Sequence, residues 1–151
     1  MSQSLSKIFL HLIFHVKTTS VRMCEGDLEH IHAYIGKVLN DLGCQSLCVG
    51  GTDDHVHILF LLSKDSSVSK VVEGVKRHSS RWIKTLSPRY AGFEWQGGYA
   101  AFSVSQSVVE GTLKYIKNQK EHHKTVSFAE EYRRFLELYH VEYNEQYVLR
   151  D

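Results

Sequence analysis

The chain has 151 residues, of which 42% are hydrophobic, and its charge is nearly balanced, with 18 Lys and Arg against 17 Asp and Glu. These values predict a single globular domain spanning 1–151 and exclude both a disordered polyelectrolyte and a uniformly basic nucleic-acid binder. No apolar run approaches the roughly 18 residues that a membrane-spanning helix needs, and the N-terminus lacks the pattern of a signal peptide, so we expect a cytoplasmic protein.

The first half of the chain predicts a strand, a helix and a hairpin. Residues 7–17 are apolar and rich in β-formers, which favours a central strand. Apolar residues at helical spacing follow the N-cap candidate Asp27 and stop at Gly43, which indicates an amphipathic helix. Residues 44–49 and 54–62 then read as two strands, joined by a tight turn at 50–53 that begins with a glycine pair.

The second half predicts a helix, a strand and two further helices. Ser67 caps a helix that Pro88 ends, and residues 99–105 resemble a strand. Two capping boxes follow, each opening a helix: Ser107 with Glu110, and Ser127 with Glu130.

The resulting order, βαββαβ followed by two helices, predicts an α+β, ferredoxin-like (RRM-like) antiparallel sheet. Its first and third strands form the central pair, and both large helices pack on one face. The other face either binds nucleic acid or is covered by the extra C-terminal helices and a partner subunit.

Basic residues cluster in two segments. Six basic residues and one acidic residue lie in 68–90, and four basic residues and one acidic residue lie in 112–124. This asymmetry indicates a phosphate-facing surface, although charge alone fits solvated helix faces equally well. The residues that we select as candidate phosphate contacts are Lys76, Arg77, Arg81, Lys84 and Lys117.

His55 and His57 flank Val56 within the third predicted strand. Because side chains alternate along a strand, both imidazoles project from one face, while Val56 points into the core under the helices. Two nitrogens aimed at one spot make half of a metal site. The alternative is a pair of solvent-facing histidines on an exposed sheet.

Tyr115 and Gln119 stand four residues apart and therefore share one face of the third predicted helix. A phenol attacks a phosphodiester when a divalent ion neutralises the phosphate charge. Two His nitrogens and one Gln oxygen leave coordination positions open and suit Mg²⁺ or Mn²⁺ better than a closed zinc site. Attack at phosphorus stores the bond energy in a phosphotyrosine, so no ATP is needed, and no P-loop pattern occurs in the sequence. We therefore expect no nucleotide cofactor.

At this point the sequence resembles a known family, the single-tyrosine transposases of the His-hydrophobic-His superfamily, which are the enzymes of the smallest bacterial insertion sequences. Five segments in register carry the resemblance and together cover nearly the whole chain. They are the DHVHIL metal motif at 54–59, the basic helix VKRHSSR at 75–81, WQGGY at 95–99, LKYIKNQ with two histidines at 113–123, and FAEEYRRFL at 128–136.

The resemblance implies a bacterial, metal-dependent strand transferase that recognises hairpins in single-stranded DNA. In such an enzyme His55, His57 and Gln119 hold the ion, and Tyr115, carried by the extra C-terminal helices, forms a 5′-phosphotyrosine. It also implies a homodimer whose active sites are shared between subunits. His122 and His123 are expected as hairpin contacts or outer groups rather than as metal ligands, and His11 and His15 as neighbours of the metal.

Two other functions stay open on the sequence alone. One is a domesticated relative that processes repeated chromosomal hairpins with the same site. The other is a non-catalytic single-stranded nucleic-acid-binding module that keeps the fold and the basic helix without cleaving.

Overall fold

A four-stranded antiparallel sheet forms the centre of the molecule, which is described for residues 2–150 in a computed structural model. The strand order is β2-β3-β1-β4, which confirms the predicted ferredoxin-like plan with the first and third strands in the middle. All three strand pairs are antiparallel. The strands are β1 (Phe9–His15), β2 (Gln45–Gly51), β3 (His55–Leu61) and β4 (Ala100–Val104).

Within residues 2–150, five α-helices accompany the sheet. They are α1 (Leu28–Asp41), α2 (Val68–Leu86), α3 (Val109–Lys117), α4 (Gln119–His122) and α5 (Phe128–Leu138). In the described part of the chain no helix combines the length and the apolar character needed to cross a lipid bilayer.

Helices α1 and α2 cover the first face of the sheet and enclose the main core. Val56, Ile58 and Phe60 of β3 point into this core and are fully buried, as the strand alternation predicts. The side chain of Ser67 accepts a hydrogen bond from the Lys70 amide, which confirms the predicted cap of α2. Asp27 precedes α1 as predicted, but its side chain accepts a hydrogen bond from the Tyr90 hydroxyl instead of capping the helix.

The second face of the sheet is covered by α3, α4 and α5. One apolar cluster joins β1, β3 and β4 to α3 through Val109 and Ile116. Another joins β1 and β4 to α5 through Tyr132 and Leu136. The C-terminal helices therefore cover the face that a simple RNA-recognition module leaves open.

The turn lies two residues later at its start than the predicted 50–53, because the glycine pair belongs to the strand. Gly50 and Gly51 both belong to β2, and residues 52–54 make the turn. A β-carbon on Gly50 would lie 2.5 Å from the main-chain oxygen of Ile116, so α3 approaches β2 more closely than any side chain allows. Glycine is needed here for helix packing, not for turning the chain.

The capping box predicted at Ser107 is wrong. A 3₁₀ turn over Gln106–Val108 precedes α3, and the Ser107 hydroxyl pairs with Ser105 instead of capping the helix. The predicted single helix also divides at Asn118, so that Tyr115 ends up in α3 and Gln119 in α4. Ser127 does cap α5, because its side chain accepts from the Glu130 amide, and its hydroxyl also donates to the Glu130 carboxylate.

Candidate metal centre and nucleophile

Strand β3 places His55 and His57 on the second face, as predicted, and both side chains are fully buried. In the sheet register Ile13 of β1 lies opposite His57, and His15 lies opposite His55. The C-terminal helices cover these imidazoles, so the alternative of two solvent-facing histidines is wrong.

Helices α4 and α5 and the turn between them complete the cluster. Gln119 places Oε1 2.9 Å from His55 Nε2 and 2.9 Å from His123 Nε2. Glu131 of α5 places Oε1 2.8 Å from His57 Nε2 and 3.2 Å from His123 Nε2. One nitrogen or oxygen from each of His55, His57, His123 and Glu131 lies within 4.8 Å of the others.

The outer contacts of two histidines fix where their ring protons lie. Hydrogen bonds from His55 and Thr52 hold the pKa of Asp54 at about 2 despite its burial, so its carboxylate accepts from His55 Nδ1 at 2.8 Å. The Val126 carbonyl accepts from His123 Nδ1 at 2.7 Å. In the neutral form that binds a metal, each ring carries its proton on the outer nitrogen, and its Nε2 lone pair is directed into the cluster.

This proton distribution is the test of whether a metal fits. In that neutral form His55 Nε2, His123 Nε2 and Gln119 Oε1 are all acceptors, so the three lone pairs converge where a cation can share them. The Gln119 amide nitrogen donates to Glu131 Oε2 at 3.0 Å, which keeps Oε1 turned inward. A divalent cation among these lone pairs and the Glu131 carboxylate satisfies all of them, so the donor set fits a metal ion.

His57 is oriented by a third buried histidine, His11 of β1. Its Nδ1 lies 2.8 Å from His11 Nε2. Burial lowers the pKa of His57 to about 4 and that of His11 to about 3, so both rings are neutral and share one N–H between them. When His57 Nε2 is used as a ligand, its proton lies on Nδ1 and His11 accepts it, as the outer partners of metal-bound histidines generally do.

Tyr115 lies at the edge of the same cluster. Its hydroxyl donates a short hydrogen bond to Glu131 Oε2 and lies 3.3 Å from His122 Nε2. Burial raises the pKa of this phenol, and the hydrogen bond and charge of Glu131 raise it further. Burial would raise the pKa of Glu131 as well, but its hydrogen bonds with His57, Tyr115 and Gln119 hold it well below the ordinary value. The two carboxylate oxygens thus divide their contacts, with Oε1 on His57 and His123 and Oε2 on the phenol, the Gln119 amide and His122.

The structure brings together the four residues that the sequence singled out for chemistry, namely His55, His57, Tyr115 and Gln119. It adds Glu131, which sequence reasoning missed, and it places His123 inside the cluster, where an outer position was expected. A signal for Glu131 does exist in the sequence. It is an acidic residue on the apolar face that Phe128, Tyr132 and Phe135 form in α5, and it is only 2% exposed.

The predicted phosphate contacts divide between two places. Arg77, Arg81 and Lys84 are exposed on α2, which packs on the face opposite the histidines, and Arg77 pairs with Glu73. The Lys76 ammonium donates to the carbonyls of Gln96 and Gly98 at 2.7 and 2.6 Å, and burial lowers its pKa to about 8. Lys117 is exposed on α3 and, with Lys114, lines an open cavity of about 530 Å³ beside Tyr115.

Comparison with known proteins gives a consistent result. A family model described as "Transposase IS200 like" matches residues 4–119. No curated protein sequence matches the chain at a significant level.

Two solved structures resemble the fold. One is a protein from Deinococcus radiodurans described as a candidate transposase, with a TM-score of 0.60 and 20% identity over 79% of this chain and 98% of the other. The second is a REP-associated tyrosine transposase bound to a REP hairpin, with a TM-score of 0.59 and 14% identity over 83% of this chain and 76% of the other. At such identities these two likenesses show the fold alone.

Proposed function

The chain belongs to the IS200-like transposase family, and we propose that it is a metal-dependent transposase that cleaves and rejoins single-stranded DNA at hairpin-marked element ends through a 5′-phosphotyrosine. The observation that carries this proposal is the bridging position of Glu131. One carboxylate oxygen meets His57 and His123, and the other accepts the proton of Tyr115. The phenol, the acceptor for its proton and the metal-binding atoms therefore lie together.

In the proposed reaction the Tyr115 proton moves along its hydrogen bond to Glu131 Oε2. The phenol oxygen forms a bond to phosphorus, and the bond from phosphorus to the 3′ oxygen of the neighbouring nucleotide breaks. That oxygen takes up the proton from Glu131, directly or through water, and leaves as a 3′-hydroxyl. The carboxylate is thereby restored, while the 5′ side stays on Tyr115. Attack by another 3′-hydroxyl on the phosphotyrosine rejoins the strands without ATP.

His55, His57, His123, Gln119 and Glu131 are the residues that would hold the ion. When bound, it withdraws charge from the phosphate and makes phosphorus easier to attack. Mg²⁺ and Mn²⁺ are the two candidates. The three imidazoles favour Mn²⁺, because Mg²⁺ prefers oxygen ligands and retains its waters.

Hairpin DNA is the proposed substrate because the similar REP-associated transposase is bound to a hairpin. Lys117 would bind phosphates next to Tyr115, whereas Arg77, Arg81 and Lys84 would contact the hairpin farther from the site. Lys76 can join them only through the part of its ammonium that the two loop carbonyls leave open.

The test is a denaturing gel of the protein with labelled single-stranded DNA that carries a hairpin-marked end, in Mn²⁺ or Mg²⁺. We expect a protease-sensitive covalent adduct that requires the metal and is lost in Tyr115→Phe. Tyr34→Phe is the matched control, because Tyr34 stacks on Trp82 in the opposite layer of the molecule. Hairpin binding without any adduct would instead support the non-catalytic module.

The predicted homodimer with shared sites is tested by mixing His55→Ala with Tyr115→Phe. Partial recovery of activity after subunit exchange supports sites built across two chains. In this structure, however, Tyr115 lies against the histidines of its own chain, with ring centroids of Tyr115 and His57 5.7 Å apart. Failure to recover activity therefore supports sites that one chain completes.

A further inference from the structure

A cavity of about 210 Å³ opens directly at Tyr115, on the side of α5. Its lining residues are Tyr115, His122, Glu131, Arg134, Phe135 and Leu138. All except Tyr115 lie beyond residue 119, where the match to the family model ends. The surroundings of the nucleophile on this side are thus built by a part of the chain to which the family match assigns nothing.

A phosphodiester in this cavity needs a positively charged group beside it, because the carboxylate of Glu131 would repel the phosphate. Glu131 presents a buried carboxylate at the Tyr115 hydroxyl, and a DNA phosphate carries a second negative charge. His122 Nε2 lies 3.2 Å from the Glu131 carboxylate and is engaged there. Among the residues that line this cavity, Arg134 is therefore the one whose positive charge can offset the negative charge of a phosphate.

Arg134 is held loosely enough to turn toward a ligand. Its side chain is 66% exposed, and its partner is Glu130, one turn earlier on α5, at 3.9 Å. An exposed pair of this kind contributes little to stability, so a phosphate competes for the guanidinium easily.

The rest of the lining is apolar. The Phe135 ring meets the Tyr115 ring edge-on, with centroids 5.7 Å apart, and Leu138 is 70% exposed at the rim. Such a wall suits the sugar and base of a nucleotide next to the phosphate. The cavity therefore combines a nucleophile, a mobile guanidinium and an apolar wall.

We propose that this cavity is the subsite for the scissile phosphodiester, and that Arg134 binds its non-bridging oxygens while Tyr115 attacks phosphorus. A guanidinium presents two parallel N–H donors that match the geometry of a phosphate. The inference rests on the proposed function, since it names the group that receives the phosphate at the same site.

The experiment compares Arg134→Ala with Arg133→Ala in single-turnover formation of the covalent adduct on hairpin DNA. Arg133 is the matched control because it is the adjacent cation of α5 and pairs with Glu145 instead of lining the cavity. We expect Arg134→Ala to slow adduct formation by about 100-fold, as loss of one transition-state donor does elsewhere, with Arg133→Ala close to wild type. Arg134→Lys should recover part of the rate, and guanidinium at low, non-denaturing concentration should partly restore Arg134→Ala.

Thermal unfolding separates this role from a structural one, and the unfolding temperature should stay unchanged in Arg134→Ala. Equal adduct rates in Arg134→Ala and Arg133→Ala overturn the inference and leave the proposed function standing. Absence of the adduct in the wild-type protein removes the proposed function itself. A slow Arg134→Ala that guanidinium does not rescue, and that unfolds at a lower temperature, also overturns the inference.

Discussion

Gly50→Ala tests the close packing of α3 on β2. The new β-carbon would lie 2.5 Å from the Ile116 oxygen and 2.8 Å from Ile116 Cγ2, about 0.9 Å short of the 3.4 Å where ordinary contact begins. Because the nearest atom is main chain, no rotamer change relieves the clash, and the end of α3 must withdraw by a similar distance. Tyr115 is the residue before Ile116, so it moves too.

A displacement of about 1 Å at a reacting group costs on the order of 100-fold in rate, and overpacking costs about 1–3 kcal/mol of stability. We therefore expect Gly50→Ala to fold with a lower unfolding temperature and to form the DNA adduct about 100-fold more slowly in single-turnover assays. Gly26→Ala is the control, since a β-carbon there meets no atom within 4 Å. A Gly50→Ala protein with wild-type adduct rate and wild-type unfolding temperature refutes the packing argument.

Three further predictions concern buried polar groups. His11→Phe should weaken Mn²⁺ binding about 10- to 100-fold, because His57 loses its outer hydrogen-bond partner. Glu131→Gln should weaken Mn²⁺ binding at least as much, as measured by calorimetry. Unchanged affinity in both variants removes Glu131 and His11 from the metal centre. The metal-free protein should lose stability between pH 7 and pH 5. His11 and His57 stay neutral in the folded protein but take up protons in the unfolded chain below about pH 6.5, which lowers the free energy of unfolding by about 2 kcal/mol per histidine at pH 5. Asp54 and Glu131 do not interfere, because their pKa values are also lowered and they affect stability only below this pH range. A denaturation midpoint that stays constant from pH 7 to pH 5 contradicts the lowered pKa values of the two histidines. Lys76→Met should lower the unfolding temperature, because the carbonyls of Gln96 and Gly98 lose a charged hydrogen-bond donor and each such bond contributes about 1.5–3 kcal/mol. An unfolding temperature equal to that of the wild type would mean that water replaces the ammonium without cost.

Much of the fold follows from local patterns in the sequence. The alternation around His55 and His57 places Val56 in the core and both imidazoles on the second face, and a slip of one residue would reverse that arrangement. The cap at Ser67 forms for the same reason that it can be predicted, because a single side chain and an amide three residues later decide it.

The errors have their causes in tertiary contacts. The glycine pair in β2 is typical of a turn, yet Gly50 serves the approach of α3, which is distant in sequence. Ser107 has the spacing of a capping box, but the chain enters α3 through a 3₁₀ turn, and its hydroxyl bonds elsewhere.

The site was only half visible for a similar reason. The spacing of His55 and His57 within one strand predicts that they act together. The spacing of Tyr115 and Gln119 along adjoining helices predicts the same for them. Glu131 reaches them from 74 positions beyond His57, through the packing of α5 on the sheet. No local sequence pattern spans so large a separation. An acidic residue on an apolar helix face is nevertheless unusual, and this marks Glu131 as a candidate functional residue.

In the proposed reaction the carboxylate of Glu131, which makes contacts through both oxygens, would link the ion to the state of the tyrosine. As long as Tyr115 carries its proton, that proton draws charge toward Oε2 and away from the oxygen that faces the histidines. Once the phenol oxygen is esterified by DNA it can no longer donate, and the full charge of the carboxylate becomes available to the cation. By thermodynamic reciprocity, a cation held more tightly by the covalent complex must in turn favour that complex over the free enzyme. The covalent complex would then bind the ion more tightly than the free enzyme does, at the stage when losing the ion would leave the strand break unrepaired.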